Sequence, residues 1–200
     1  MVEKLLKEVL EEITPSKEQK SQTENIIKEI FNALEGEDVD PIVVGSTAKD
    51  TDLACDTDID VFIRFPADTE RSMLESKGLG IGKKVFKKLG VEYVIDYSEH
   101  PYTKGVYHDV EVEIVPCYHE AGIKSSVDRT PLHTRYVKEK IKANPGLKGD
   151  IRLLKKFMKA CGVYGAEEKV RGFSGYLVEV IVINYGGFHK TLKAACRWGD

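Results

Sequence analysis

The 200-residue chain is 42% hydrophobic and 32% charged, with 30 Lys+Arg against 33 Asp+Glu and a formal net charge of −3. That length supports one full core plus a second small domain or part of one. No run approaches the roughly 18 apolar residues of a membrane span, and Met1-Val2-Glu3-Lys4 opens an amphipathic helix, not the apolar stretch of a signal peptide, so the expected location is cytoplasmic.

Leu5, Val9 and Ile13 begin a helical stripe. Thr14 and Pro15 restart a helix as N-cap and first-turn residue, and Ile26, Ile27, Ile30, Phe31 and Leu34 carry it to Gly36. The period then changes. Ile42 to Val44 reads as a short buried strand, Ser46 to Thr51 as a helical turn, and Asp58 to Phe65 as a longer strand stopped by Pro66. A helix is expected from Glu70 to Leu89, with Leu74, Ile81, Val85 and Leu89 inward and Gly90 as its stop. Val91, Tyr93, Ile95 and Tyr97 alternate as in a strand. So do Val106, His108, Val110, Val112 and Ile114, with Tyr107, Asp109, Glu111 and Glu113 on the opposite face. Beyond Pro116 the pattern predicts helices over 131–143, 150–161, 174–186 and 188–199, with Asn144-Pro145-Gly146 as a breaker and Ser174 as an N-cap. The reading is α+β: a mixed sheet flanked by helices over residues 1–145, then part of an all-helical domain over 146–200.

The net charge hides an asymmetry. Residues 1–120 hold 14 basic against 26 acidic side chains, and residues 121–200 hold 16 against 7, so the first part carries −12 and the second +9. An acidic part followed by a basic one fits a site that holds cations and then a polyanion. The four cysteines, Cys55, Cys117, Cys161 and Cys196, form no C-x-x-C pair, which gives neither a zinc site nor a disulfide framework.

Chemistry concentrates in Gly45-Ser46, Asp58-Ile59-Asp60 and Val112-Glu113-Ile114-Val115-Pro116. Strand alternation sends Asp58 and Asp60 out of one face while Ile59, Val61 and Ile63 pack on the other. A third carboxylate from a neighbouring strand would complete a set of hard oxygen ligands for divalent cations. Glu111 and Glu113, on the same face of that strand, are both candidates for that place. A Gly-Ser turn opening a short helix offers N–H groups and a hydroxyl to a phosphate.

Gly45-Ser46-Thr47-Ala48-Lys49, Asp58-Ile59-Asp60-Val61-Phe62, Glu99-His100-Pro101-Tyr102, Val112 to Tyr118, Ser126-Val127-Asp128-Arg129-Thr130-Pro131 and Arg171-Gly172-Phe173-Ser174-Gly175-Tyr176 follow one another in this order. Together they resemble the archaeal-type, class I CCA-adding tRNA nucleotidyltransferases, whose members are about twice this length, so the chain looks like an amino-terminal fragment. The resemblance implies a polymerase-beta-like head and magnesium held by Asp58, Asp60 and Glu113 as catalytic and metal-binding residues. It also implies nucleotide contacts from Ser46, Lys49, His133, Lys155 and Tyr164. The implied partners are tRNA, ATP and CTP, with a homodimer at full length. Another polymerase-beta-like activity, of poly(A) polymerase or oligonucleotide synthetase type, is the alternative. Two positions depart from the pattern: Glu113 stands where Asp is usual, and Lys49 where Arg is common. Taken alone, His133 reads as a surface helix residue beside Arg135 and Lys138 sooner than as a nucleotide contact, Lys155 as one of three lysines on a basic helix, and Tyr164 as helix-end packing.

Overall fold

The structure, a computed structural model, describes residues 2–199. It divides into two compact units that interleave in sequence: a sheet unit of residues 16–48 and 57–134, and a helical unit of residues 1–15, 49–56 and 135–200.

The sheet unit is built on five strands, β1 (Asp40–Val44), β2 (Asp58–Phe65), β3 (Tyr93–Tyr97), β4 (Pro101–Tyr107) and β5 (Val110–Tyr118), in the order β1-β2-β5-β4-β3. β2 and β5 are parallel, and the other three pairings are antiparallel. Ile59, Val61 and Ile63 of β2, with Val112 and Ile114 of β5, pack against α2 (Lys17–Leu34) and α4 (Arg71–Leu89). Helix α4 contributes Leu74, Ile81, Val85 and Phe86 to that core. It approaches the sheet closely through two glycines inside the helix. A Cβ at Gly78 would lie 2.8 Å from Pro116 Cγ, and one at Gly82 would lie 3.1 Å from Thr103 Cβ. Gly90, in the left-handed region at φ 69°, ends α4 as the sequence predicts.

Two expectations need correction, and two strand details go beyond them. Ser16, not Thr14, caps α2: its hydroxyl accepts from Gln19 N and the Gln19 side chain accepts from Ser16 N, a capping box. The Thr14 hydroxyl instead donates to Leu10 O at the end of α1 (Val2–Ile13). The run Val106 to Ile114 is not one strand, because His108 and Asp109, at φ 50° and 63°, make a two-residue hairpin turn between β4 and β5. Tyr93, Ile95 and Tyr97 alternate without burial, since β3 is an edge strand with every residue exposed. Pro116 lies inside β5, beyond the last β4 partner at Ile114, so its missing N–H costs no bond to β4.

The helical unit contains α1, the segment from Lys49 to Asp56, most of α5 (Thr130–Ala143), and α6 (Leu147–Ala160), α7 (Gly175–Tyr185) and α8 (Phe188–Ala195). Ile13, Leu53, Val137, Ile141, Ile151, Leu154, Val178, Val182 and Phe188 form its core. Ser174 caps α7 by accepting from Leu177 N, as predicted. Among the described residues no helix is long and apolar enough to cross a membrane.

Candidate active site

Because β2 and β5 run parallel in register, Asp58 stands opposite Glu111 and Asp60 opposite Glu113. The intervening apolar residues enter the core, so all four carboxylates occupy the other face. Glu113 is the more enclosed glutamate, its side chain 21% exposed against 41% for Glu111. Burial, helped by the charges of Glu111 and Asp58, pushes the Glu113 carboxyl above its usual range against the pull of Lys104. Lys104, opposite Glu113 on β4, places Nζ 2.7 Å from Glu111 Oε1 and 3.5 Å from Glu113 Oε1. The phenol of Tyr102 is pushed up by burial and by Glu113 and Asp96, and it donates to Asp96 Oδ2 at 3.2 Å.

β1 ends at Val44, paired with Asp60, and the chain turns at Gly45 into α3 (Gly45–Lys49). Gly45 has φ 71°, and a Cβ there would overlap the Asp60 carboxylate, 3.0 Å from its Cγ. Backbone conformation and space thus both demand glycine. The Thr47 hydroxyl donates to the Asp58 carbonyl, tying α3 to the start of β2. Ser46 follows Gly45 in the first turn of α3. His133 is half-buried near the start of α5, also in the sheet unit.

Lys49, Lys155 and Tyr164 belong to the helical unit. Both lysines are buried and converge on Glu179 of α7, which is fully buried. Lys49 Nζ donates to Glu179 Oε2 at 2.7 Å, Thr51 Oγ1 donates to Glu179 Oε1 at 2.7 Å, and Lys155 Nζ donates to Thr51 O at 3.0 Å. Burial pulls the Lys155 ammonium below its usual range, and Glu179 opposes the shift. Tyr164 bridges to Phe173. Its hydroxyl comes so close to α7 that a Cβ at Gly175 would lie 2.9 Å away, which gives this glycine a packing reason. Sequence reasoning missed Glu179. Its signal was a lone carboxylate in the otherwise apolar run Leu177-Val178-Glu179-Val180-Ile181-Val182-Ile183.

The structure therefore brings Asp58, Asp60, Glu111 and Glu113 onto one face and gathers Lys49 with Lys155 in the helical unit. Four carboxylates on that face, of which Glu111 and Glu113 are ion-paired with Lys104 and Glu113 resists ionisation, make a donor set that fits a hard divalent cation. Among the described residues no three Asp, Glu, His or Cys side chains are gathered closely enough to hold a metal alone. Magnesium does not need such a cage, since it keeps waters and is held by one or two carboxylates plus substrate phosphates.

Residues 24–143 match the nucleotidyltransferase domain family, and residues 149–200 match the second domain of tRNA nucleotidyltransferases. The chain belongs to the nucleotidyltransferase domain family. It is 44% identical over 200 residues to the CCA-adding enzyme of Archaeoglobus fulgidus, covering 98% of this chain and 44% of that protein. It is 42% identical over 203 residues to the CCA-adding enzyme of Thermococcus gammatolerans, covering 97% and 44%. The chain thus spans less than half the length of these curated relatives. Among solved structures, the RNA terminal uridylyl transferase Cid1 superposes with a TM-score of 0.72 at 16% identity, covering 91% of this chain and 52% of that one. A cytoplasmic RNA terminal U-transferase gives 0.70 at 17%, covering 91% and 52%. At those identities the likeness shows the fold alone: the nucleotidyltransferase domain here is polymerase-beta-like, a mixed sheet with flanking helices.

Proposed function

We propose that the chain is the catalytic part of a CCA-adding tRNA nucleotidyltransferase, with a head over residues 1–145 and the start of a helical domain over 146–200. It acts in the cytoplasm, as a homodimer at full length, and transfers CMP and AMP from CTP and ATP to the tRNA 3′ end. The observation that carries this reading is the row of carboxylates beside Gly45, Asp58 and Asp60 on β2 against Glu111 and Glu113 on β5. Identity above 40% to archaeal enzymes of that name, over nearly the whole chain, supports the choice of substrate.

In the reaction the tRNA 3′ oxygen bonds to the α-phosphorus, the bond to the bridging oxygen of pyrophosphate breaks, and the hydroxyl proton leaves. Magnesium, when bound, lowers the pKa of that hydroxyl and neutralises charge on the triphosphate. Asp58 and Asp60 hold it with Glu113. Glu113 is preferred over Glu111 because Lys104 lies nearer Glu111 and because Glu113 stands opposite Asp60. In the sheet unit the Ser46 hydroxyl is a phosphate contact and His133 a nucleotide contact; in the helical unit the Lys49 and Lys155 ammonium groups are phosphate contacts and Tyr164 a nucleotide contact. Lys49 meets phosphate as a point charge, without the fork an arginine would offer.

The test is incubation of the protein, at the length of its relatives, with tRNA lacking its 3′ CCA, with magnesium and each nucleotide, followed by sequencing of the 3′ ends. Addition of C, C and A supports the reading. Runs of A, or short oligonucleotides made without tRNA, would assign the domain to a poly(A) polymerase or an oligonucleotide synthetase.

A further inference from the structure

We propose that Glu179 is a positioning residue for nucleotide binding, holding Lys49 and Lys155 together so that both ammonium groups meet the triphosphate. This rests on the reading above that the two lysines bind phosphate. Glu179 lies on α7 among Val178 and Val182, both core residues, and is itself fully buried. A carboxylate there is expensive: replacing a buried ion pair by apolar residues is often neutral or stabilising, so the pair alone is weak evidence of a structural role. Its two oxygens divide the work. Oε2 takes the Lys49 ammonium at 2.7 Å, whereas Oε1 takes the Thr51 hydroxyl at 2.7 Å and lies 3.6 Å from Lys155 Nζ. One carboxylate thereby fixes the last residue of α3, the loop that follows it, and a side chain of α6.

The charge balance points to an anion. Beside this group, Arg152 Nη2 lies 2.7 Å from Asp50 Oδ1 and 3.6 Å from Asp52 Oδ1, and Lys148 Nζ lies 2.6 Å from Asp50 Oδ2. Lys49 and Lys155 share Glu179, with Asp52 a further negative charge acting on Lys155, so across the group Lys49, Lys148, Arg152 and Lys155 face Asp50, Asp52 and Glu179, four basic side chains to three carboxylates. Buried charge is costly unless it is paired, and a triphosphate supplies the missing negative charge. Glu179 thus limits the repulsion between the two lysines before the nucleotide arrives.

The experiment titrates the 200-residue chain with CTP, and separately with inorganic triphosphate, in magnesium by calorimetry, and records melting for each variant. Lys49→Met and Lys155→Met are each expected to weaken binding about tenfold, and Glu179→Gln at least as much, for both ligands. In a chain that already carries both lysine substitutions, adding Glu179→Gln should change affinity by less than about twofold, because a residue acting through two others has nothing left to act through. A general structural role would not show that dependence. If Glu179→Gln does not fold, Thr51→Val keeps every charge, removes the hydroxyl that anchors Oε1, and is expected to weaken binding about threefold. Lysine variants that weaken binding while Glu179→Gln, or Thr51→Val in its place, leaves it unchanged would overturn the role of Glu179 alone. Lysine variants that bind as well as the parent would overturn the phosphate assignment itself, and this inference with it.

Discussion

Gly45→Ala separates two demands that the turn before Asp60 makes on one residue. The first is conformational: alanine at φ 71° costs about 1–2 kcal/mol for the left-handed backbone. The second is steric, because the new Cβ would overlap the Asp60 carboxylate, and overpacking of that kind costs about 1–3 kcal/mol. Gly90 isolates the first demand. It ends α4 at φ 69°, nearly the same conformation, with nothing within 4 Å of the position a Cβ would take. In urea unfolding, Gly90→Ala should therefore lose only the conformational part, and Gly45→Ala should lose about 1–3 kcal/mol more. Pyrophosphate release gives the functional side. Gly45→Ala must displace Asp60 to fold, so its turnover should drop by about tenfold or more, while Gly90→Ala retains the parent rate. Equal stability losses and equal rates for the two variants would refute the claim that Gly45 makes room for Asp60.

Asp58→Ala and Asp60→Ala should each reduce turnover by at least about a hundredfold with little effect on folding, measured as magnesium-dependent incorporation on tRNA. Glu113→Asp should keep measurable activity and Glu113→Gln should lose most of it, while Glu111→Gln loses little; the reverse ranking of the two glutamines would make Glu111 the ligand. Ser16→Ala should destabilise the protein by about 1 kcal/mol through loss of the capping box on α2, whereas Thr14→Ala should cost less, as read by urea unfolding. Burial pushes the Cys117 thiol up to about 12, so below that pH it stays protonated; at pH 8 a thiol reagent should modify the exposed Cys55, Cys161 and Cys196 and reach Cys117 only on unfolding.

Much of the sheet unit was legible because its signals are local. Asp58 to Phe65 begins and ends where the alternation and Pro66 place it, and the helix before Gly90 stops at the predicted glycine. The failures have a common cause, which is that pattern within a segment does not report what lies across from it. His108-Asp109 carries no glycine, so the hairpin turn was hidden inside a run whose alternation continues through it. Tyr93, Ile95 and Tyr97 alternate as a strand does and form β3, but alternation did not show that β3 is an edge strand whose residues stay exposed, with Tyr93 stacked on Phe86 of α4. At the site, period two placed Asp58 and Asp60 on one face, yet only the parallel register pairs them with Glu111 and Glu113. Lys49 and Lys155 carried no local sign of burial, because their shared partner Glu179 lies 130 residues after Lys49 in the chain.

The most direct measurement is a crystal structure with CTP and manganese in place of magnesium, with the metal positions located from anomalous scattering. The account predicts metal within coordination distance of Asp58, Asp60 and Glu113, with the triphosphate oxygens completing its shell. Metal or triphosphate bound elsewhere, with Asp58 and Asp60 left without either, would contradict it.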